Sequence, residues 1–339
     1  MNDTFISVCI PNYNRPDELY RLLKSVDYSA PGEIEIVICD DRSPEIEGVR
    51  SAVTRYTREC RYEVIFRENP QNLGYDKNLR ELIRAASGEW VLFMGNDDMF
   101  VAGALDKLAG FLKGNPGLGY VLKSHYLIHK NNKYESHRYY DGNSFFDPGI
   151  GACVSLFRKS VFISGFLIRR EFVLPYLTDE VDGTLLFQLY LLGEVVLRHP
   201  SAYFDEPLTQ QYDEGVPSFG TAEAEKGLYT PGTITIDNSI NFLKGFFKIT
   251  GVLDGKHGVD CTPAIKKDMS KYFYPSLAIQ RNKGLRAFLH YVARLNREIG
   301  FNITPYYYVY VAALVLFGKN ACDNGIRLLK DIIGKTPQL

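Results

Sequence analysis

The chain has no glycine at the first place where a nucleotide-binding protein would ordinarily need one. The stretch SVCIPNYNRP at 7–16 reads as a strand running into a helix, and its turn is Pro11, Asn12, Tyr13, Asn14, Arg15 and Pro16. Without G-x-G-x-x-G at that turn, the usual dinucleotide-binding arrangement is excluded. The chain also has no GxxxxGK[ST] and no G-x-S-x-G, so a P-loop and a hydrolase nucleophile elbow drop out. Its six cysteines are scattered with no CxxC, and Cys9 and Cys39 sit inside apolar runs. That usage fits reduced core thiols better than a disulfide framework or a zinc site. The N-terminal MNDTFISVC has no basic region followed by an apolar one, so no secretory signal is expected. The longest apolar run, YYYVYVAALVLFG at 306–318, falls short of the ~20 residues of a spanning helix. A soluble, cytoplasmic protein is expected, touching a membrane at most from its inner face.

What is present is globular. Hydrophobic residues make up 45% of the 339 and charged residues 23%, enough apolar surface for a core and too little charge for disorder. Charge is unevenly spread. Residues 241–339 hold 15 Lys+Arg against 6 Asp+Glu, a net of +9, while the rest holds 24 against 34, a net of −10. An acidic body with a basic tail points the tail toward an anionic surface. A solvated basic helix face is the plain alternative.

Periodicity organises the first 115 residues. FISVCI (5–10), IEIVIC (34–39), YEVIF (62–66) and EWVLFM (89–94) are short, apolar and largely β-branched or aromatic. Leu19, Leu22, Leu23 and Val26 recur at helical spacing behind Pro16, as do Leu79, Leu82, Ile83 and Ala86 before Gly88. Strands alternating with helices predict an α/β fold, a mostly parallel sheet with helices on both faces. Beyond 119, the spacing predicts a hairpin turning at Asn131–Asn132, then a strand into a short helix at 160–173. An apolar helix at 182–193 and a strand at EVVLRHP (194–200) follow. The segment 213–233 is rich in Gly, Pro and Ser and reads as a loop or lid. The expected divisions are 1–215, comprising a nucleotide-binding half (1–115) and an acceptor half (116–215), then a lid at 216–234 and a helical region at 235–339.

Ligands in such sheets sit beyond the carboxyl ends of the strands, and four features fall there: Pro11–Asn14, Asp40-Asp41, NPQNLGYDKN (69–78) and Gly95-Asn96-Asp97-Asp98. Adjacent carboxylates make poor core material, because unpaired buried charge is costly. A helix N-cap explains one Asp of a pair but not both. One account covers all four. Asp97-Asp98 offers hard oxygen ligands to Mn²⁺ or Mg²⁺ against a diphosphate. An Asp after the second strand accepts from a base or ribose, and Tyr13 stacks on a base.

In order and spacing, Pro11–Asn14, Asp40–Ser43, Asn72–Asn78 and Gly95–Asp98 resemble the family 2 inverting glycosyltransferases. That likeness runs over roughly residues 5–212. It implies a GT-A fold and transfer of a sugar from a nucleotide diphosphate donor, with UDP favoured, in surface polysaccharide assembly. It implies that Pro11, Tyr13 and Asp40 face the nucleoside, with Asp40 reading the base. Asn14, Asp41 and Asn96 join them, Asn72 and Asn78 shape the donor pocket, and Asp97 and Asp98 serve the metal and diphosphate. One departure stands out: many members have Asp where this chain has Gly95. The resemblance also implies a catalytic base in an E-D pair opening a later helix, which places Asp182 in that role with Val181 where Glu would be. Such a base takes the acceptor hydroxyl's proton during in-line attack. Asp182 as a plain helix cap is the alternative reading, and Asp179 and Glu180 are the nearest competitors for the role.

The tail joins apolar and basic residues at helical spacing in INFLKGFFKI and LRAFLHYVARLNREIGF. It predicts either packing against protein, including a homo-oligomer interface, or contact with a membrane surface. The latter suits a glycan acceptor carried on a polyprenyl diphosphate; no nucleic-acid partner is expected. Three rivals stand beside the transferase. A sugar nucleotidyltransferase would want a glycine-rich loop after the first strand. An NAD-linked oxidoreductase would want G-x-G-x-x-G. A non-catalytic glycan-binding module could dispense with Asp182.

Overall fold

The computed structural model describes residues 4–129, 134–212 and 219–333, which form two compact units meeting at Thr233 and Ile234. In the first unit the predicted strands are β1 (Ile6–Asn12), β2 (Ile34–Asp40), β3 (Glu63–Glu68) and β4 (Trp90–Phe93). Between them lie the helices α1 (Pro16–Lys24), α2 (Ile46–Thr57) and α3 (Tyr75–Ala85). Every residue of β2 is buried, which is why it reads as an unbroken apolar run rather than an alternating one. In α1, the residues at helical spacing turn inward as Leu19, Leu22 and Leu23, with Pro16 in the first turn. The short β5 (Met99–Phe100) and α4 (Ala104–Lys113) follow.

β6 (Tyr120–Ile128) and β7 (Tyr134–His137) pair antiparallel as the hairpin pattern predicts; the Asn131–Asn132 turn itself lies outside the described residues. Next come β8 (Ser144–Phe146), α5 (Ile150–Leu156), β9 (Phe166–Arg169), α6 (Arg170–Val173), α7 (Phe187–Val196) and β10 (Ser201–Tyr212). One sequence expectation fails here. EVVLRHP is no strand: Glu194–Val196 finish α7, and pairing begins only at Ser201. A short apolar run carries no periodicity that separates a strand from a buried helix. Here Glu194, fully buried, pairs one helical turn along with Arg198.

The main path of the sheet runs β3-β2-β1-β4-β9-β6-β10-β5. β3, β2, β1 and β4 are mutually parallel, and β9 is antiparallel to both β4 and β6. The chain steps outward from β1 to β2 and β3, then returns to the other side of β1 for β4. The carboxyl ends of β1 and β4 therefore flank a switch point, where open α/β sheets bind ligands.

The second unit contains α8 (Ile236–His257), α9 (Thr262–Lys271), α10 (Tyr274–Arg281), α11 (Leu285–Glu298) and α12 (Pro305–Ile333). The Thr235 hydroxyl accepts from Asn238 N at 2.9 Å and caps α8. Phe246, Phe288, Tyr291 and Leu295 fill the interior, and α12 breaks at Gly318 (φ +73°). Among the described residues, no helix is long and apolar enough to cross a membrane.

Candidate active site

A cleft of about 240 Å³ opens at the carboxyl ends of β1, β2 and β4. It is lined by seven of the residues singled out from sequence: Pro11, Tyr13, Asp41, Asn72, Asn78, Asn96 and Asp97. The alignment of strand ends explains the gathering. Asn12 sits opposite Asp40 in the β1–β2 register, and Met94 N donates to Cys9 O at 2.9 Å.

Asp40 and Asp41 part ways. Asp40 is fully buried, with Oδ2 accepting from Asn12 Nδ2 at 2.7 Å and from the Ser43 hydroxyl at 2.5 Å. Its Oδ1 accepts from Ser43 N at 2.8 Å. The expectation that Asp40 faces a nucleoside is therefore corrected: its carboxylate ties the β1 and β2 turns together inside the protein. Asp41 lines the cleft instead. It accepts from Leu73 N at 2.7 Å, Gly74 N at 2.8 Å and Asn69 Nδ2 at 2.9 Å. Burial raises its pKa and those donors oppose the rise.

Asn14 is also drawn into the frame. At φ +52°, its N donates to the Ser43 hydroxyl at 2.7 Å and its Oδ1 accepts from Glu45 N at 3.1 Å. It fastens one turn to the next, and the cleft's lining runs through its neighbours Tyr13 and Arg15. Asn78 reaches the wall but is anchored from behind, through Nδ2 to Cys39 O at 3.1 Å and from Asn69 Nδ2 at 3.0 Å.

At the end of β4, Asp97 borders solvent and pairs with Arg15, while Arg21 Nη2 donates to the Asp97 carbonyl at 3.0 Å. Asp98 turns inward, accepts from the Ser164 hydroxyl and is almost fully buried. Burial pushes its pKa up to about 7, and burial pushes the neighbouring Lys123 ammonium down to about 7. A Cβ on Gly95 would lie 2.9 Å from the Ser164 hydroxyl and 3.2 Å from Asp97 Oδ1. The missing side chain at this position is thus what lets Ser164 reach Asp98. Among the described residues, no three His, Cys, Asp or Glu side chains converge as a metal cage. Two adjacent carboxylates, one at the cleft wall and one desolvated behind it, do fit a hard divalent cation completed by substrate phosphate.

Asp182 does not line the cleft. It lies in the turn before α7, bonded in bidentate fashion to Arg80 of α3 (one contact at 2.9 Å), with Lys77 Nζ 3.7 Å away. Asp76, in the first turn of α3, accepts from Leu185 N at 3.0 Å and Phe187 N at 2.9 Å, binding that turn to α3. Its burial pushes its pKa up to about 7.

Several residues of the cleft carried no role in the sequence reading. Arg15 stands within the quoted turn. Phe219, Thr221 and Glu225 come from the segment read as a lid. Glu225 accepts from Tyr75 N at 2.8 Å and Gly220 N at 2.7 Å, and the Thr221 hydroxyl accepts from Asn72 Nδ2 at 3.2 Å. Gly74, at φ +83°, makes the approach feasible: a Cβ there would meet Glu225 Oε1 at 2.8 Å.

Residues 7–174 match the model of glycosyl transferase family 2. Through that segment, the chain belongs to glycosyl transferase family 2. Its architecture is the GT-A fold, shared with the S. aureus TarS 1–349 fragment at a TM-score of 0.61 and 14% identity, over 95% of this chain and 92% of that one. Among curated family 2 relatives, abequosyltransferase RfbV of Salmonella typhimurium is 30% identical over 107 residues, 32% of each chain. A GalNAc(5)-diNAcBac-PP-undecaprenol β-1,3-glucosyltransferase of Campylobacter jejuni is 29% identical, over 34% of this chain and 36% of its own length. The UDP-Glc:α-D-GlcNAc-diphosphoundecaprenol β-1,3-glucosyltransferase WfgD of Escherichia coli is 26% identical, over 39% and 50%. The chain thus spans a third to a half of these relatives. The matched segment holds most of the cleft's lining and stops short of Asp182, Phe219, Thr221 and Glu225.

Proposed function

We propose that this glycosyltransferase moves a sugar from a UDP-sugar to a hydroxyl of a lipid-linked glycan, with inversion at the anomeric carbon. The observation that carries this reading is the convergence of Tyr13, Asp41 and Asp97 on one cleft at the switch point of the sheet. In it, Tyr13 stacks on the base and Asp41, rather than Asp40, accepts from the base or ribose. Asn72 and Asn78 shape the donor's seat, and Asp97 and Asp98 hold Mn²⁺ or Mg²⁺. When bound, that cation would offset charge on the departing diphosphate. Asp182 accepts the proton of the acceptor hydroxyl as its oxygen bonds to the anomeric carbon and the bond to the diphosphate oxygen breaks. Arg80 fixes the carboxylate's orientation, and a carboxylate has lone pairs beyond the two that Arg80 engages.

The lipid-linked acceptor draws support from the names of the Campylobacter and Escherichia relatives, both of which act on undecaprenol diphosphate glycans. The second unit supports a place beside such a substrate. Tyr308, Val309, Leu316 and Phe317 on α12 are between 55% and 73% exposed, and no charged residue lies between 305 and 318. Tyrosines on an apolar helix face suit a headgroup boundary. Flotation with anionic vesicles is expected to carry the wild-type protein and to leave a Leu316→Ser/Phe317→Ser variant behind.

The deciding experiment is a panel of nucleotide sugars with an undecaprenyl diphosphate glycan, with products resolved by anomeric configuration. Inverted transfer from a UDP-sugar is expected, with Asp182→Asn reducing kcat by about 10²–10⁴-fold at near-constant donor KM. Wild-type turnover in that variant would remove Asp182 from the chemistry.

A further inference from the structure

Arg15 and Asp97 meet at the mouth of the cleft. Arg15 immediately precedes α1, and its Nη1 donates to Asp97 Oδ2. The side chains are 20% and 35% exposed, and both residues line the cleft. The backbone of Asp97 has its own anchor in Arg21, whose guanidinium also lies 4.6 Å from the centre of the Tyr212 ring. The two arginines therefore act on different parts of Asp97: Arg21 holds the main chain and Arg15 engages the carboxylate.

A carboxylate already paired with a guanidinium is a weakened ligand for a divalent cation. A guanidinium is also the side chain best matched to phosphate oxygens, through two parallel N–H donors. A diphosphate in this cleft and a cation at Asp97 each take something from the pair, the diphosphate its Arg15 and the cation its Asp97.

We infer that Arg15 is a displaceable internal cation that couples donor binding to metal binding. Before a donor binds, Arg15 neutralises Asp97 and holds its metal affinity down. The donor's diphosphate draws the guanidinium away and leaves the Asp97 carboxylate available. By linkage, the metal in turn strengthens donor binding by the same factor. This inference rests on the metal-assisted reading proposed above.

The test needs no turnover. Free Mn²⁺ is counted by electron paramagnetic resonance during titration of nucleotide-free protein: wild type, Arg15→Gln, Arg15→Lys and Asp97→Asn. Arg15→Gln is expected to bind Mn²⁺ about tenfold more tightly than wild type, within the usual range of site-to-site coupling. Arg15→Lys, which keeps the charge on a flexible stem, should fall between them. Calorimetry with UDP in the presence of EDTA should show Arg15→Gln binding about fivefold more weakly than wild type. If Asp97→Asn loses Mn²⁺ while Arg15→Gln matches wild type, the coupling is overturned and the metal assignment stands. If Asp97→Asn binds Mn²⁺ as wild type does, the metal assignment fails and takes the coupling with it.

Discussion

The ends of β2 and β4 each carry two adjacent aspartates, and the two pairs are oriented oppositely. At β2 the first member, Asp40, turns inward and the second, Asp41, meets the cleft; at β4 the first, Asp97, meets the cleft and Asp98 turns inward. Both pairs lie at or beyond the last residue of their strand, so the local turn decides which member faces away from the shared site. Which one depends on where the strand stops. β2 runs through Asp40, whereas β4 stops at Phe93 and the chain turns through Met94, Gly95 and Asn96 before its pair arrives. In each pair one carboxylate is thus buried and the other reaches the cleft.

The comparison breaks first, if it breaks, at β4. Asp97→Asn should lower kcat/KM by about 10²-fold or more while leaving the melting temperature near that of wild type. Asp98→Asn should cost stability as well, because it leaves the buried Lys123 without its countercharge. Equal stability in the two variants would erase the inward–outward distinction. At β2 the contrast is expected to be milder. Asp40→Ala should cost about 1–3 kcal/mol in a urea titration, as buried donors from Asn12 and Ser43 lose their acceptor. Asp41→Asn should weaken UDP binding about tenfold, the scale of one charge-assisted hydrogen bond. A larger loss of UDP affinity in Asp40→Ala than in Asp41→Asn would restore the sequence assignment.

The smallest effect concerns Asp76. Its folded-state pKa, raised by burial to about 7, lies above the ordinary 3.8. The folded protein therefore holds a proton that the unfolded chain has released, and stability falls as pH rises from about 4 to about 7. Asp76→Asn cannot titrate, and its single amide oxygen accepts from only one of Leu185 N and Phe187 N, which lowers stability by a similar amount at every pH. Denaturant midpoints across that range should decline less steeply in the variant, by at most about 1.4 kcal/mol per pH unit. Parallel pH profiles would sink the assignment.

The four strand ends were legible because parallel strands announce themselves as buried runs and their carboxyl ends follow from topology. Pro11, Tyr13, Asp41, Asn72, Asn78, Asn96 and Asp97 all reach the cleft for that reason. Asp40 was misplaced because a side chain's facing depends on where pairing stops, and composition does not record that. Arg15 and Glu225 had no local signal, since their partners lie far along the chain, at Asp97 and Tyr75. EVVLRHP misled because β-branched residues also occur in a helix buried on all sides, and every residue of α7 is buried.

The contact between Glu225 and the start of α3 has a practical consequence for cutting the chain. The matched family segment ends at 174 and β10 at Tyr212, and either boundary invites a cut. A protein ending at Tyr212 would keep every strand of the sheet. It would nonetheless lack Phe219, Thr221 and Glu225, and Tyr75 N would lose its acceptor. A piece that keeps the whole cleft must therefore reach at least Glu225, beyond β10, and the compact unit that holds it ends at Thr233.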